Sequence, residues 1–166
     1  MGAIMQLETA YYTPGNGVYC SLIPTFATLN ILRKSLTLKA DWLSPCQWHV
    51  TVIYDREADT SPHRFSTLFR QLGSDVEYNA TVFGIDWFQS SKDPELGALV
   101  ILLDSEDMQQ LKSMLFDLFN FKSDYAEYRP HLTLVEDVPR PYLMPDISLL
   151  IGRTLTFSGF RIESIK

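Results

Sequence analysis

Two short stretches of the sequence carry the same pattern of residues that can move protons. His49 is followed two positions later by Thr51, and His131 is followed two positions later by Thr133. The residues around them are mostly apolar or β-branched, which predicts two short buried strands. Side chains two positions apart on a strand share a face, so each strand presents an imidazole and a hydroxyl together.

Two histidines that face each other across a cleft can act as the base and the acid of one displacement. The unperturbed imidazole pKa is about 6.5, so one ring can start neutral and the other protonated near neutral pH. The two threonine hydroxyls can hydrogen-bond the non-bridging oxygens of a phosphate held between them. The pattern indicates cleavage of a phosphodiester by a ribose 2′-hydroxyl, or opening of a 2′,3′-cyclic phosphate by water.

Other interpretations explain a single His-x-Thr motif more often than catalysis does. A buried structural histidine beside a strand-forming threonine gives the same pattern, but two copies in matched repeats favour catalysis. Zinc is another alternative, because Cys46 and His49 have C-x-x-H spacing. A catalytic zinc normally has three protein ligands, and the sequence offers no companion cluster. We therefore expect no metal and no cofactor.

The segments that position the two motifs form an internal duplication, over about residues 17–54 and 97–136. Each repeat runs from a glycine through a strand, a helix and a loop to its histidine. Gly17 precedes His49 by 32 residues, and Gly97 precedes His131 by 34. A twofold relation between these β-α-β units would bring the two His-x-Thr strands face to face across one cleft.

Outside the repeats, the sequence predicts a helix beginning at Ser61-Pro62, a long strand over 76–88 bent at Gly84, and a broken strand over 154–165. The proline-rich stretch 138–145 is predicted to be a linker or flap. His63, the third histidine, is given no role.

Length and composition restrict the class of protein. A chain of 166 residues with 46 % hydrophobic residues predicts a single domain over 1–166. No stretch is long and apolar enough for a membrane span, and the first residues do not resemble a secretory signal. Two unpaired thiols, Cys20 and Cys46, are expected in a reducing cytoplasm. The formal charge of −6 disfavours binding to long nucleic acid.

Several residues are candidates for binding the substrate. Tyr19 and Ser21 are the polar alternates of the first strand and are expected to face the cleft, where the tyrosine could stack on a base. Arg129 could reach a phosphate. Other aromatic candidates for stacking are Tyr12, Trp87 and Tyr125.

The paired motifs in a duplicated chain of this size resemble the two-histidine (2H) phosphoesterase superfamily, which includes LigT-like RNA cyclic phosphodiesterases. The contexts Trp48-His49-Val50-Thr51 and Tyr128-Arg129-Pro130-His131 are similar to those of the small phage members, among them the anti-CBASS nucleases that degrade cyclic oligonucleotide immune signals. The resemblance implies an α+β, bilobal fold: two lobes related by a pseudo-twofold, antiparallel strands lining a central cleft, and helices outside.

The resemblance also implies a catalytic tetrad of His49, Thr51, His131 and Thr133 that needs no metal, and Glu163 is similar to an acid that reads base or ribose in related phage proteins. We expect a monomeric phosphodiesterase that cleaves the 3′–5′ bonds of small cyclic oligonucleotides in the cytoplasm of a phage-infected cell, without a membrane or long nucleic-acid partner. Two alternatives stay open: a 2′,3′-cyclic phosphodiesterase for RNA ends or small nucleotides, and a nucleotide sponge that binds without cleaving.

Overall fold

The computed structural model describes residues 17–57, 76–121 and 127–163, except for the side chains of residues 162 and 163. The expected helix beginning at Ser61-Pro62, together with Tyr12, His63 and Tyr125, lies outside this part of the chain. The elements in chain order are β1 (Val18–Pro24), α1 (Phe26–Ser35), β2 (Val50–Asp55), β3 (Tyr78–Gln89), β4 (Gly97–Asp104), α2 (Glu106–Phe119), β5 (His131–Val138) and β6 (Thr154–Glu163), with a 3₁₀ turn at Pro45–Gln47 before β2. Within the described ranges, no helix is long and apolar enough to cross a membrane.

The strands form a closed antiparallel ring in the order β1-β2-β5-β4-β3-β6. One half of the ring is β6-β1-β2 and the other is β3-β4-β5. The halves join at β2–β5 and at β3–β6. The predicted α+β class and the antiparallel strands are confirmed. The pairing of β3 with β6, which closes the ring, was not predicted from the repeats.

The strand registers show how closely the two halves correspond. Ser21 pairs with Thr51 on β2, and Val100 pairs with Thr133 on β5. In both halves the register shifts just before this pair, between Cys20 and Ser21 and at the matching point of β4. An extra residue therefore follows each threonine, and this β-bulge increases the local strand twist at the same place in both halves.

The two helices start at side-chain caps and bury one face. The Thr25 hydroxyl accepts a hydrogen bond from the Thr28 amide at the start of α1. The Ser105 hydroxyl accepts one from the Met108 amide at the start of α2, and it donates to the Asn79 carbonyl of β3 at 2.6 Å. Such caps satisfy amides that have no partner within the helix. The cap at Ser105 also ties α2 to the second half of the ring.

Glycines mark the irregular points of the long strands. β3 bends where predicted, because its register with β4 shifts between Val82 and Gly84. The predicted interruption of the last strand at Ser158-Gly159 is instead a bulge within a continuous strand. Gly159 has a φ of 64°, which favours glycine, and the register with β1 shifts there.

Candidate active site

The two histidine rings are held by the same local hydrogen bond. His49 Nδ1 donates to the Gln47 carbonyl at 2.8 Å, and His131 Nδ1 donates to the Arg129 carbonyl at 2.7 Å. A carbonyl oxygen can only accept, so each bond fixes the proton of the neutral ring on Nδ1. Nε2 is therefore the atom of each ring that is left to accept or exchange a proton.

The residues that alternate with the motifs anchor them in the core. Val50 and Leu132 are fully buried, as is Leu134, and Val52 is 2 % exposed. His49, Thr51, His131 and Thr133 are half-buried. Because successive strand residues point to opposite faces, the four polar side chains share the face away from this core. Val50 pairs directly with Leu132, so the two motifs meet where β2 and β5 join.

Tyr19 occupies the first half of the site. Its hydroxyl hydrogen-bonds His49 Nε2 and lies 3.0 Å from Thr51 Oγ1. The Tyr19 and His49 rings contact each other edge to face, with their centroids 5.8 Å apart. Because the neutral His49 accepts at Nε2, the tyrosine donates to it and can accept from the threonine. This places Tyr19 on the face of the motif, as expected from the alternation along β1.

An aromatic and a cation flank the second half of the site. The Phe88 ring contacts the His131 ring edge to face, with centroids 4.9 Å apart. The Arg129 guanidinium lies over the Phe88 ring at 4.9 Å, within the range of a cation–π contact. These side chains form a layered group of arginine, phenylalanine and histidine.

The second half of the site favours a neutral histidine. Burial lowers the pKa of His131, and the positive charges of Arg129 and of a protonated His49 lower it further, against the opposing effect of the hydrogen bond to the Arg129 carbonyl. His131 therefore stays neutral to a lower pH than a free imidazole. The two histidine rings are therefore held by equivalent hydrogen bonds but have different surroundings.

The predicted role of Trp87 as a stacking residue needs correction. Phe88, its neighbour on β3, contacts His131, so Trp87 points to the opposite face of the strand. Its indole N–H donates to the Val138 carbonyl at 3.0 Å, and its ring packs so closely on Gly97 that a Cβ there would lie 2.6 Å from it. Trp87 packs where β4 begins and β5 ends, and Phe88 is the aromatic that sequence reasoning missed. The bulge at Phe83, just before Gly84, shifts the alternation of β3 by one residue and so places Phe88 on the face of the motifs.

The other predicted residues lie around the motifs. Ser21 is opposite Thr51 and is 1 % exposed. Arg129 is exposed and reaches the layered group through Phe88. Glu163 is directly opposite Tyr19 on β6, at a register position that shares its face, and its side chain lies outside the described part. Tyr12 and Tyr125 lie outside it as well.

One contact ties the two halves together beside the motifs. The Tyr128 hydroxyl donates to the Thr51 carbonyl at 2.9 Å, although the two residues belong to different repeats. Gln109 of α2 donates to the Tyr128 carbonyl at 3.0 Å, and burial raises the pKa of the phenol. A protonated phenol is a dependable donor, so Tyr128 holds the first motif from the second half.

The cysteines and the remaining ligand-type residues form no metal centre in the ranges described. No group of three or more histidine, cysteine or acidic residues there could hold a metal ion. Cys20 is buried and Cys46 is exposed, and the two cysteines form no disulfide. The Cys46 sulfur lies 3.2 Å from the Ser44 hydroxyl.

Several solved structures share this fold. TT0787 of Thermus thermophilus superposes with a TM-score of 0.58 at 17 % identity, covering 88 % of this chain and 86 % of that one. A structure described as a phosphoesterase gives 0.53 at 16 % identity, covering 93 % and 97 %. Escherichia coli LigT complexed with 3′-AMP gives 0.52 at 14 % identity, covering 93 % and 96 %. At these identities the similarity establishes the fold.

The sequence comparisons establish the family. No curated protein sequence matches the chain, but the family described as anti-CBASS protein Acb1 matches residues 16–146. That match covers most of the chain and includes both His-x-Thr motifs and the strands and helices that position them. The chain belongs to the anti-CBASS Acb1 family.

Proposed function

We propose that this protein is a phosphodiesterase that opens small cyclic oligonucleotides by cleaving a 3′–5′ bond with the neighbouring ribose 2′-hydroxyl. The observation that carries the proposal is the matched anchoring of His49 and His131 through Nδ1, which leaves both Nε2 atoms able to exchange protons beside a threonine hydroxyl. His49, Thr51, His131 and Thr133 are the catalytic residues of this proposal. The family match and the bound 3′-AMP of the structurally similar LigT support a small nucleotide ligand.

The different surroundings of the two rings support a division of roles. His131, whose pKa is lowered mainly by burial, starts neutral and acts as the general base. The role of general acid then falls to His49. Proton transfer by a positioned side chain contributes typically about 10² to 10⁴ in rate.

The first step can be written as one in-line displacement. His131 Nε2 takes the proton of the 2′-hydroxyl, O2′ bonds to phosphorus, the bond from phosphorus to O5′ breaks, and His49 Nε2 gives its proton to O5′. The products are a 5′-hydroxyl and a 2′,3′-cyclic phosphate. The threonine hydroxyls donate hydrogen bonds to the non-bridging oxygens as negative charge grows on them.

The histidines end this step with their protonation states exchanged. His49 is then neutral and can take a proton from water, while His131 is protonated and can give one to a ribose oxygen of the cyclic phosphate. Hydrolysis of that intermediate therefore uses the same two rings with reversed roles. It restores the starting protonation states.

Tyr19 has to respond when substrate enters. Its hydroxyl binds His49 Nε2 and Thr51 Oγ1, the two atoms that the proposal assigns to the leaving group and the phosphate. In the complex, the Tyr19 hydroxyl either accepts a hydrogen bond from protonated His49 or is displaced from His49 Nε2 by O5′ of the substrate. A phenol can donate or accept, so it suits either position.

A chromatographic assay tests the proposal against the two alternatives. Purified protein is incubated with a cyclic dinucleotide, a cyclic trinucleotide and a nucleoside 2′,3′-cyclic phosphate, each with and without EDTA. Linear products from the cyclic oligonucleotides at equal rates with and without chelator support the proposal. Turnover of the 2′,3′-cyclic phosphate alone indicates the RNA-end enzyme, and retention without product indicates a sponge. Loss of activity in EDTA would contradict metal-independent catalysis.

A further inference from the structure

The face of the sheet that carries the motifs continues onto β6. Ser21 pairs with Thr51 on one side and with Arg161 on the other. Residues directly opposite each other on antiparallel strands share a face, so Arg161, Ser21 and Thr51 stand in a row across three strands. Tyr19 confirms which face this is, because it lies two positions from Ser21 on β1 and binds both His49 and Thr51.

The distance along this row suits a contact beyond the reacting phosphate. Neighbouring strands lie about 4.8 Å apart, which separates the backbones of Arg161 and Thr51 by roughly 10 Å. A ligand group held at Thr51 therefore lies about two strand spacings from the backbone of Arg161. Arginine is always charged and offers a planar fork of donors that matches phosphate.

The equivalent position in the other half of the ring carries the opposite charge. Asp86 pairs with Val100, and Val100 pairs with Thr133, which repeats the row of Arg161, Ser21 and Thr51. The two halves share the hydrogen bonds that hold their histidines and the β-bulges after their threonines. They differ in the sign of the charge at this position. The charge of Arg161 therefore attracts an anion at its own position in the row, and the charge of Asp86 repels one at the equivalent position.

The substrate of the proposed function carries more anions than the tetrad can hold. A cyclic dinucleotide has two phosphates, and the two histidines and two threonines act on one of them. The protein as a whole has a formal charge of −6, so a second phosphate requires a local cation. Arg129 lies beside His131 in the second half, and Arg161 lies in the first half beyond Ser21.

We propose that Arg161 binds the second, unreacting phosphate of a cyclic oligonucleotide. The proposal rests on the proposed function of the same site and gives it a preference: substrates with a second phosphate are favoured over substrates with a single phosphodiester. Arg161 is then a binding residue for specificity, and the chemistry stays with the histidines.

The test compares two substrates that undergo the same reaction. One is a cyclic dinucleotide, and the other is the linear dinucleoside monophosphate of the same bases, which keeps the 2′-hydroxyl beside a 3′–5′ bond but has no second phosphate. For Arg161→Gln we expect kcat/KM on the cyclic substrate to fall at least tenfold, with a change of less than threefold on the linear one. Arg161→Lys keeps the charge without the fork and should lie between these values. Arg153→Gln, an exposed arginine just before β6, is the matched control and should change neither.

Equal losses on both substrates, or no loss on either, would overturn the proposal. Calorimetric binding of the uncleaved cyclic dinucleotide to a His131→Ala background, with and without Arg161→Gln, separates this result from a failure of the proposed function. If the wild-type protein cleaves nothing, a tenfold weaker Kd in the double variant still supports the phosphate contact, and an unchanged Kd refutes it. If the wild-type protein binds no cyclic dinucleotide, both proposals are wrong.

Discussion

Val50 and Leu132, the middle residues of the two His-x-Thr motifs, pair directly with each other where β2 meets β5. They are the same position in the two repeats, so the pseudo-twofold passes through this pair. In an antiparallel pair, continuing the register sets His49 opposite Thr133 and His131 opposite Thr51. The proposed site thus draws a histidine and a threonine from each half, and we expect neither half to act alone.

Loss of either histidine should abolish most of the activity. We expect His49→Ala and His131→Ala each to reduce turnover of a cyclic dinucleotide by roughly 10² to 10⁴, the range for a lost general acid or base. Single-turnover kinetics on protein with an unchanged circular dichroism spectrum would measure it. His63→Ala is the matched control and should retain activity. Near-full activity in a folded His49→Ala or His131→Ala protein would refute the assignment.

Removing the charge of Arg129 should move the pH profile upward. Arg129 helps to hold the pKa of His131 low, so in Arg129→Gln the pKa of His131 rises and the base becomes protonated at a higher pH. The acidic limb of kcat/KM, which reports the base of the free enzyme, should shift to higher pH. The shift should shrink in high salt, which screens an exposed charge. In the control Arg153→Gln, the acidic limb of kcat/KM should lie at the same pH as in the wild-type protein. A shift of this limb to lower pH in Arg129→Gln would contradict the role of His131 as the base.

Neighbouring aromatics on β3 should give opposite phenotypes. Phe88→Leu removes the ring that contacts His131 and should lower kcat/KM roughly tenfold, a loss of about 1.4 kcal/mol in transition-state stabilisation. Trp87→Phe removes the bond to the Val138 carbonyl and should cost about 1 kcal/mol of unfolding free energy with little change in rate. Urea unfolding and initial rates on both variants provide the comparison. The reverse pattern would mean that Trp87 faces the substrate.

The contact between the halves should matter for stability. Tyr128→Phe leaves the Thr51 carbonyl without its donor, and an unsatisfied buried group costs about 1 to 3 kcal/mol. We expect a lower melting temperature and a reduced rate, because Thr51 loses its support from the second half. Tyr142→Phe is the control, since Tyr142 is fully exposed. An unchanged melting temperature in Tyr128→Phe would show that the bond contributes nothing.

The sequence was sufficient for the parts of the fold that repeat. The spacing from Gly17 to His49 and from Gly97 to His131 predicted two matching β-α-β units, and the alternation along β1 predicted the orientation of Tyr19. These inferences work because strand periodicity and local hydrogen bonds depend on near neighbours. The repeats also predicted that the two motifs meet.

The remaining features depend on long-range register and could not be read from the sequence. The bulge at Phe83, just before Gly84, changes the phase of β3, so Phe88 and not Trp87 reaches His131. The pairing of β1 with β6 puts Arg161 in line with Thr51, although 110 residues separate them along the chain. Tyr128 bonds to the carbonyl of another repeat, a contact with no signature in its own neighbourhood.

In the proposed function, the two histidines drive attack by a ribose 2′-hydroxyl within one cleft. The most direct test is a chromatographic time course on a cyclic dinucleotide and on its analogue with 2′-deoxyribose at both positions. We expect the ribose-containing cyclic dinucleotide to open to a linear product that ends in a 2′,3′-cyclic phosphate, and the deoxyribose analogue to stay intact. Cleavage of the deoxyribose analogue at a comparable rate would contradict the proposed function and indicate attack by water.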